Sequence, residues 1–201
     1  MNFGLPIVLS APSGSGKSTL AERFLKSWPN AVRSISCTTR KPRPNEVNNV
    51  DYIFINEPEF NQRVRKNEFV EWATVHGHMY GTPKVELDKN ILAKKDVLLV
   101  IDPQGAVNIK KIYPDGVFIF LVPPSWDALR ERLEKRASEP AIDIETRIKD
   151  ARFELKYLSF FQYLVLNEDL DKAVNDMLAI IRAEHCRVNH VNKKDYPFLW
   201  P

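Results

Sequence analysis

The 201-residue sequence is short of the features that several protein classes require. Its two cysteines, Cys37 and Cys186, lie far apart without metal-ligand spacing, which argues against a disulfide scaffold and favours a reducing compartment. No stretch approaches the roughly 18 apolar residues of a membrane-spanning helix, and residues 1–10 carry no basic segment before an apolar run. We therefore expect a soluble, cytoplasmic protein that does not bind membranes.

The sequence also lacks an excess of charge of either sign. Its 29 basic and 26 acidic side chains leave a net charge of +3, so the field of the whole molecule does not call for a nucleic acid as partner. Internal repeats, low-complexity tracts and histidines at ligand spacing are lacking too. The 44% of hydrophobic residues suit one compact α/β unit with a small inserted lobe, and they leave the oligomeric state open.

Short apolar runs and helical patterns alternate along most of the chain. The runs cover residues 5–9, 97–101, 117–122 and 163–166, and the clearest helical patterns cover 104–112, 126–136 and 172–187. Continuous apolar runs indicate strands buried on both faces, and their alternation with helices indicates a parallel sheet with right-handed crossovers. We therefore predict an α/β fold built on a doubly wound parallel sheet with helices on both faces.

The pattern changes between residues 36 and 95, where strand-like segments and closely spaced turn signals predict an inserted α+β lobe. Further along, small and polar residues at 137–143 lead into a helical pattern at 144–161, which predicts a mobile helical lid. The predicted division is a core of residues 1–35, 96–136 and 162–189, a lobe of 36–95, a lid of 137–161 and a C-terminal tail of 190–201.

A phosphate-binding loop (P-loop) follows the first predicted strand. The segment from Ala11 to Ser18 matches G-x-x-x-x-G-K-[ST] except that alanine replaces the first glycine. Gly14 and Gly16 allow backbone N–H groups to turn inward around an anion. Lys17 would reach the β- and γ-phosphates, and the hydroxyl of Ser18 would ligate Mg²⁺. The loop predicts a bound nucleoside triphosphate, contacted by Ala11, Pro12, Ser13, Gly14, Ser15, Gly16, Lys17, Ser18 and Thr19.

The predicted lobe begins with a loop that combines hydroxyl and guanidinium groups. Ser36, Arg40 and Arg43 fall within eight residues, and Tyr52 follows shortly after. Arginine forks match phosphate oxygens bidentately, and tyrosine and serine hydroxyls complete such a cradle. On charge alone, however, a solvated basic loop is the favoured interpretation of this segment.

Two further motifs in the lobe shift this balance. Glu71-Trp72-Ala73 is followed by Tyr80-Gly81-Thr82, and both come after the basic loop in order. Together with the P-loop, these motifs resemble the guanylate kinase family of P-loop nucleoside monophosphate kinases, in its bacterial type. The resemblance covers residues 8–187, which is nearly the whole chain.

The resemblance implies that the lobe binds GMP. The phosphate of GMP would be held by Ser36, Arg40, Arg43, Tyr52 and Tyr80, and its base by Glu71, Thr82 and Asp102. Gly81 is also among the implied GMP-binding residues. Guanine presents donors at N1 and N2 and an acceptor at O6, so a carboxylate can accept both donors while a hydroxyl donates to O6. Adenine would leave the carboxylate unpaired, and a pocket built on such bonds can reject the wrong base by roughly 10⁴.

On the donor side, the resemblance implies ATP as co-substrate. It places two lid arginines at Arg136 and Arg147, and it places Asn167 near the adenine of ATP, although Asn167 would also suit a helix cap. The implied reaction is reversible transfer of the γ-phosphoryl group of ATP to GMP, and to dGMP, with Mg²⁺. Positioning and electrostatics carry such transfers without a general base, here through the catalytic residues Lys17, Arg40, Arg136 and Arg147.

The sequence departs from the family pattern at a few positions. Val100 stands where the family commonly has the first Asp of Asp-x-Asp, so that only Asp102 remains, and Ala137 replaces a glycine beside the first lid arginine. Two other functions remain open on the residues alone. One is a related kinase with another phosphorylated acceptor such as a ribose bisphosphate, and the other is a non-catalytic interaction module.

Overall fold

The computed structural model of the protein describes residues 4–44, 46–75, 77–135, 144–190 and 198. In these ranges the strands are β1 Pro6–Ser10, β2 Ala31–Arg33, β3 Cys37–Thr38, β4 Ile53–Phe54, β5 Phe69–Val75, β6 His78–Pro83, β7 Asp96–Val100, β8 Val117–Val122 and β9 Tyr163–Leu166. The α-helices are α1 Lys17–Ser27, α2 Glu57–Arg65, α3 Lys84–Leu92, α4 Pro103–Ile112, α5 Trp126–Lys135, α6 Ile144–Glu154 and α7 Leu170–His185.

The larger sheet has five strands in the order β2-β7-β1-β8-β9, and all of its pairings are parallel. The predicted parallel sheet is therefore confirmed. The sequence analysis did not identify β2, which is only three residues long and lies at the edge of the sheet. So short a strand, with one buried side chain, gives too few positions for an apolar pattern to be recognised.

Helices cover both faces of this sheet, as predicted. In β1, Ile7 and Leu9 pack in one cluster with Phe24 of α1, while Val8 between them packs in a second cluster with Ile109 of α4. Successive side chains of a strand point to opposite faces, so a strand covered on both sides needs apolar residues throughout. Leu87 of α3 belongs to the second cluster, so this helix also lies against the larger sheet.

The smaller sheet has four strands in the order β4-β3-β6-β5 and lies within residues 37–83. β5 and β6 form an antiparallel pair, and β3 pairs antiparallel with β6 and parallel with β4. Phe60 of α2 and Phe69 of β5 form the centre of its own small core. Val70 of β5 packs in the same cluster as Ala106 of α4, which joins the smaller sheet to the larger unit.

One predicted helix is wrong in its extent. The helical pattern at 144–161 is divided in the structure, because α6 ends at Glu154 and a 3₁₀ turn spans Leu155–Phe160. The rings of Tyr157 and Phe160 contact each other three residues apart, a spacing that suits the tighter 3₁₀ turn. Leu133 of α5 packs in one cluster with Ile148 of α6.

The residues between α5 and α6, which include Arg136 and Ala137, lie outside the described residues, as does most of the tail from 190 to 201. Among the helices that are described, none combines the length and the apolar character needed to cross a membrane.

Candidate active site

The P-loop connects β1 to α1 at the carboxyl edge of the larger sheet. Gly14 and Gly16 both have φ of +90°, a left-handed conformation that side chains disfavour, so the glycines in the motif serve the turn that was predicted. Helix α1 begins at Lys17, and its N-cap residue is Gly16, which has no side chain to cap the first turn. The amide groups of this first turn therefore remain available to an anion.

Lys17 lies at the centre of this loop. Its ammonium group donates a hydrogen bond to the carbonyl oxygen of Ile101 at 3.1 Å, at the end of β7. Burial lowers the pKa of Lys17, while the nearby carboxylates of Glu154 and Asp102 oppose that shift. The lysine is thus held at the point where two neighbouring parallel strands end.

Two residues from the second half of the chain contact the loop. Arg147 of α6 donates to the hydroxyl of Ser13 at 3.0 Å, which brings the predicted lid arginine to the P-loop. Asn167 donates to the carbonyl of Ser15 at 2.7 Å, so in the structure its side chain supports the loop. The alternative of a helix cap is wrong for Asn167, because Asp169 caps α7. The other predicted lid arginine, Arg136, lies outside the described residues.

A cleft joins the P-loop to the smaller sheet. Of the predicted residues it is lined by Lys17, Ser18, Ser36, Tyr52, Glu71, Tyr80 and Asp102. Arg33 of β2 also lines the cleft, and in the described part of the chain no hydrogen bond or ion pair engages its guanidinium. Sequence reasoning missed Arg33 because β2 itself gave no recognisable pattern.

Arg40 is held beside the aromatic side of this cleft. Its guanidinium forms an ion pair with Glu46 at 2.7 Å and lies 5.5 Å from the ring centre of Tyr52. Burial alone would lower the pKa of Arg40, but the hydrogen bonds to Glu46 and Tyr80 raise it above the ordinary value. The rings of Tyr52 and Tyr80 meet edge to face at 5.9 Å. Arg43 is exposed, and its backbone N–H donates to Glu46.

Glu71 places a carboxyl group in the interior of the lobe, and its residue surface is only 7% exposed. Burial raises the pKa of its carboxyl to about 7, and the hydrogen bond from Thr82 opposes this shift while the charge of Asp102 adds to it. A Cβ atom on Gly105 would lie 2.9 Å from Oε2 of Glu71 and 3.4 Å from Oδ2 of Asp102, so both carboxyl groups face this glycine.

The hydroxyl of Thr82 donates to Oε1 of Glu71 at 2.7 Å. The sequence analysis expected the hydroxyl of Thr82 to donate to the base of GMP. In the structure this buried hydroxyl donates to the carboxyl group of Glu71 instead. Gly81, next to it on β6, is buried where a Cβ atom would lie 2.9 Å from the ring of Phe69. These contacts make Thr82 and Gly81 part of the support of the cleft.

Sequence reasoning also missed Glu154, the last residue of α6. Burial raises the pKa of its carboxyl to about 7, against the effects of Lys17 and of the backbone amide of Ser13. Glu154 follows Arg147 by seven residues, which is two helical turns, so both side chains project from the same face of α6. This spacing is the one signal that could have indicated it.

Comparison with known proteins places this site in a family. The model of the guanylate kinase family matches residues 4–184 of the chain. The chain belongs to the guanylate kinase family. It is 44% identical over 191 residues to a guanylate kinase of Thermotoga maritima, covering 95% of this chain and 92% of the relative. It is 46% identical over 193 residues to a guanylate kinase of Caldanaerobacter subterraneus subsp. tengcongensis, covering 96% and 93%.

A crystal structure of guanylate kinase from Anaplasma phagocytophilum is similar throughout, with a TM-score of 0.78 and 33% identity. The similarity covers 94% of this chain and 89% of that one. The guanylate kinase resemblance that the motifs indicated is therefore confirmed, and so is the α/β fold class.

Proposed function

We infer that this member of the guanylate kinase family phosphorylates GMP with ATP in the cleft between the P-loop and the smaller sheet. The main support is that Lys17, Ser18 and the buried residue Glu71 line one cleft. Lys17 and Ser18 suit a phosphate site, and the carboxyl group of Glu71 suits the hydrogen-bond donors of guanine. Family membership supports the same reaction, since the similar relatives are named guanylate kinases.

ATP is proposed to bind through its phosphates at the P-loop. The amide groups of the loop and of the first turn of α1 surround the β-phosphate, and Lys17 adds a point charge near the γ-phosphate. Arg147 reaches the same place through its contact with Ser13. Arg136 is assigned there by its place in the family motif alone. In a loose transition state these cations stabilise the charge on the equatorial oxygens of the transferred group.

The phosphate of GMP is proposed to bind among the hydroxyl groups of Ser36, Tyr52 and Tyr80. All three line the cleft, and Arg40 is fixed against Tyr52 by its ion pair with Glu46. Arg43 completes the predicted cradle by its position in the same loop. We add Arg33 to this set because it is a cationic residue that lines the cleft. A guanidinium that no hydrogen bond or ion pair engages among the described residues is suited to a phosphate oxygen.

The base is proposed to be selected by Glu71. An ionised carboxylate can accept from both N1–H and N2–H of guanine, whereas adenine has no donor at N1. Thr82 holds the carboxylate by its hydrogen bond and so orients it toward the cleft. Asp102 lines the cleft beside it. This arrangement favours GMP over a ribose bisphosphate, which has no base for Glu71 to bind.

Mg²⁺ is proposed to bind at Ser18. The described residues contain no cluster of three or more His, Cys, Asp or Glu side chains that could hold a metal. Mg²⁺ does not need such a cluster, because it commonly binds through a few protein oxygens together with substrate phosphates and water. The hydroxyl of Ser18 and the carboxylate of Asp102 line the same cleft and would be those oxygens. When bound, the ion would neutralise phosphate charge.

We further propose that the lobe at 36–95 and the lid at 137–161 close over a core of 1–35, 96–136 and 162–189. Closure would exclude water from the transferring group and so limit hydrolysis of ATP. This division follows the motif positions in the sequence, with the cleft between core and lobe.

The test is an assay of ADP formation from ATP with GMP, dGMP, AMP, UMP, CMP or a ribose bisphosphate as acceptor. We expect GMP to be the preferred acceptor. Glu71→Gln should lower kcat/KM for GMP by about 10²-fold, since a charged hydrogen-bonding partner is lost, and Glu68→Gln, an exposed change nearby, should not. Equal use of GMP and AMP by the unaltered protein, or unchanged selectivity in Glu71→Gln, would disprove the assignment of the base site.

A second variant tests the ATP site. Lys17→Met keeps most of the length of the side chain and removes its charge, so we expect at least about a 10²-fold loss in kcat. Turnover at the rate of the unaltered protein would show that Lys17 is not central to the reaction.

A further inference from the structure

Two side chains donate to one carbonyl group of the P-loop. The carbonyl oxygen of Ser15 accepts from the side-chain amide of Asn167 at 2.7 Å and from the guanidinium of Arg132 at 3.3 Å. Ser15 is fully buried, so these protein donors replace the water that an exposed carbonyl would bind. The function proposed above assigns no role to Arg132.

Arg132 also links the loop to the end of β9. Its other terminal nitrogen donates to the backbone carbonyl of Asn167 at 2.8 Å. The backbone N–H of Asn167 donates in turn to the carbonyl of Val122 at 2.8 Å, which continues the pairing of β9 with β8. A guanidinium can span two carbonyls in this way because its N–H donors are fixed relative to one another. One side chain of α5 therefore holds the loop against the larger sheet.

Close packing keeps these groups at the loop. A Cβ atom on Gly14 would lie 2.7 Å from Cδ2 of Leu133, which follows Arg132 on α5. A Cβ atom on Gly16 would collide with Nδ2 of Asn167. The two glycines therefore allow this close approach as well as the positive φ of the turn.

The held carbonyl determines where the next amide points. In a planar trans peptide, the C=O of one residue and the N–H of the next point in opposite directions. Because the carbonyl of Ser15 faces Arg132 and Asn167, the N–H of Gly16 faces away from them. Among the residues that the structure describes, this N–H has no hydrogen-bond acceptor. An amide turned in this way in a glycine-rich loop is suited to donate to a phosphate oxygen.

We propose that Arg132 is a positioning residue of the ATP site. Together with Asn167 it holds the carbonyl of Ser15 and thereby directs the N–H of Gly16 toward the β-phosphate of ATP. This role rests on the proposed binding of ATP at the P-loop. Since the directed amide binds phosphate, the contribution of both side chains does not depend on the base of the nucleotide. For Asn167 this differs from a contact with adenine, which the family resemblance implied.

The test compares Arg132→Lys and Asn167→Ala with the unaltered full-length protein. Arg132→Lys keeps the positive charge but loses the fixed fork that spans two carbonyls, and Asn167→Ala removes the shorter of the two bonds to Ser15. Calorimetric titration at a fixed Mg²⁺ concentration gives Kd for ATP and for GMP. Competition with ATP in the kinase assay gives Ki for inorganic tripolyphosphate, which has no base.

Both variants should weaken the binding of ATP and of tripolyphosphate by the same factor, about five- to tenfold, because a phosphate donor is no longer held in its direction. Kd for GMP should stay unchanged, which would show that the variants are folded. KM for ATP should rise with kcat nearly constant, since a bond to a phosphate that is not transferred is equally strong in the ground state and the transition state.

Arg130→Lys on α5 and Asn175→Ala on α7 are the matched controls. They make the same replacements at an arginine whose side chain is 43% exposed and at an exposed asparagine, and neither residue contacts Ser15 through a hydrogen bond. Both should match the unaltered protein in every measurement.

A loss for ATP without a loss for tripolyphosphate would overturn the proposal, because the side chains would then act on the adenosine. Unchanged ATP affinity in Arg132→Lys, or an equal loss of affinity for GMP in both variants, would overturn it too. These results would leave the proposed function in place. If tripolyphosphate did not compete with ATP for the unaltered protein, the P-loop would not be a phosphate site, and the proposed function would fail as well.

Discussion

Glu71 must be buried to recognise a base and ionised to accept two donors from it. Burial raises the pKa of its carboxyl to about 7, so near neutral pH a large share of the empty sites carries a proton. Guanine selects the ionised form, and we therefore expect GMP binding to release protons. The hydrogen bond from Thr82 offsets only part of the cost of burying the ionised carboxylate. The donors of the base can therefore stabilise this carboxylate further.

This burial has a consequence for stability. The pKa of Glu71 is higher in the folded protein than its ordinary value of 4.5, so its favourable contribution is present at low pH and is lost as the pH rises through about 7. Glu71→Gln cannot lose a proton and keeps an acceptor for Thr82. Between about pH 5 and pH 8 we expect its free energy of unfolding to rise, relative to the unaltered protein, by on the order of 2 kcal/mol.

Urea unfolding at a series of pH values measures this difference. Glu154 titrates in the same range in both proteins, so its contribution cancels in the comparison. Glu68→Gln, at an exposed position just before β5, is the matched control and should show no such trend. A difference between Glu71→Gln and the unaltered protein that stayed constant with pH would contradict the raised pKa.

At the scale of the element, α4 shows how one side chain can serve both a helix and a site. Asp102 caps α4 by accepting from the amides of Gln104 at 2.8 Å and Gly105 at 3.0 Å, through its Oδ1. Its other oxygen faces Gly105 on the side of Glu71. The start of the helix therefore determines where the second carboxylate of the cleft lies.

Two substitutions separate these roles. Asp102→Asn keeps a good capping side chain, so it should leave the melting temperature nearly unchanged, while Asp102→Ala should cost about 1 kcal/mol and lower it by roughly 2–4 °C. Both should raise KM for GMP about tenfold, because both remove the charge from the cleft. Thermal unfolding and steady-state kinetics with varied GMP measure the two effects.

Asp169 provides the control for that comparison. It caps α7 by accepting from the amide of Lys172 at 2.8 Å, and it does not line the cleft. Asp169→Ala should lower the melting temperature without altering KM for GMP. If Asp102→Asn left KM unchanged and only Asp102→Ala raised it, Asp102 would act through the helix alone.

At the scale of the whole molecule, Asp96 joins three distant parts of the chain. It is fully buried at the start of β7, and it accepts from the backbone N–H of Leu5 at 2.9 Å and from the indole N–H of Trp28 at 2.7 Å. The ring of His185, at the end of α7, lies 2.9 Å from the same carboxyl. The beginning of β1 and the ends of α1 and α7 are thereby held together.

Asp96→Asn should weaken this junction, since an amide offers one acceptor oxygen and turns its NH₂ group toward a buried donor. We expect the free energy of unfolding to fall by about 3 kcal/mol and the melting temperature by roughly 6–12 °C. KM for GMP should not change, because Asp96 and the cleft lie at opposite ends of β7. Urea unfolding and kinetics test this, with the exposed Asp115→Asn as control. A variant as stable as the unaltered protein would show that the junction contributes little.

Much of this protein follows from local patterns in the sequence. Apolar runs such as 117–122 predict strands covered on both faces because every second side chain meets a different layer. The P-loop is recognisable because a left-handed turn requires glycine at Gly14 and Gly16, and because the lysine must follow at once. The lobe motifs indicated the family because their order and spacing are specific.

The contacts between distant segments were decided only by the tertiary structure. No spacing in the sequence could show that Arg147 donates to the hydroxyl of Ser13, that Arg33 lines the cleft, or that the hydroxyl of Thr82 donates to Glu71. The physical reason is that periodicity records which face of an element is buried. The partner a polar group finds there depends on how the elements pack, which no local pattern contains.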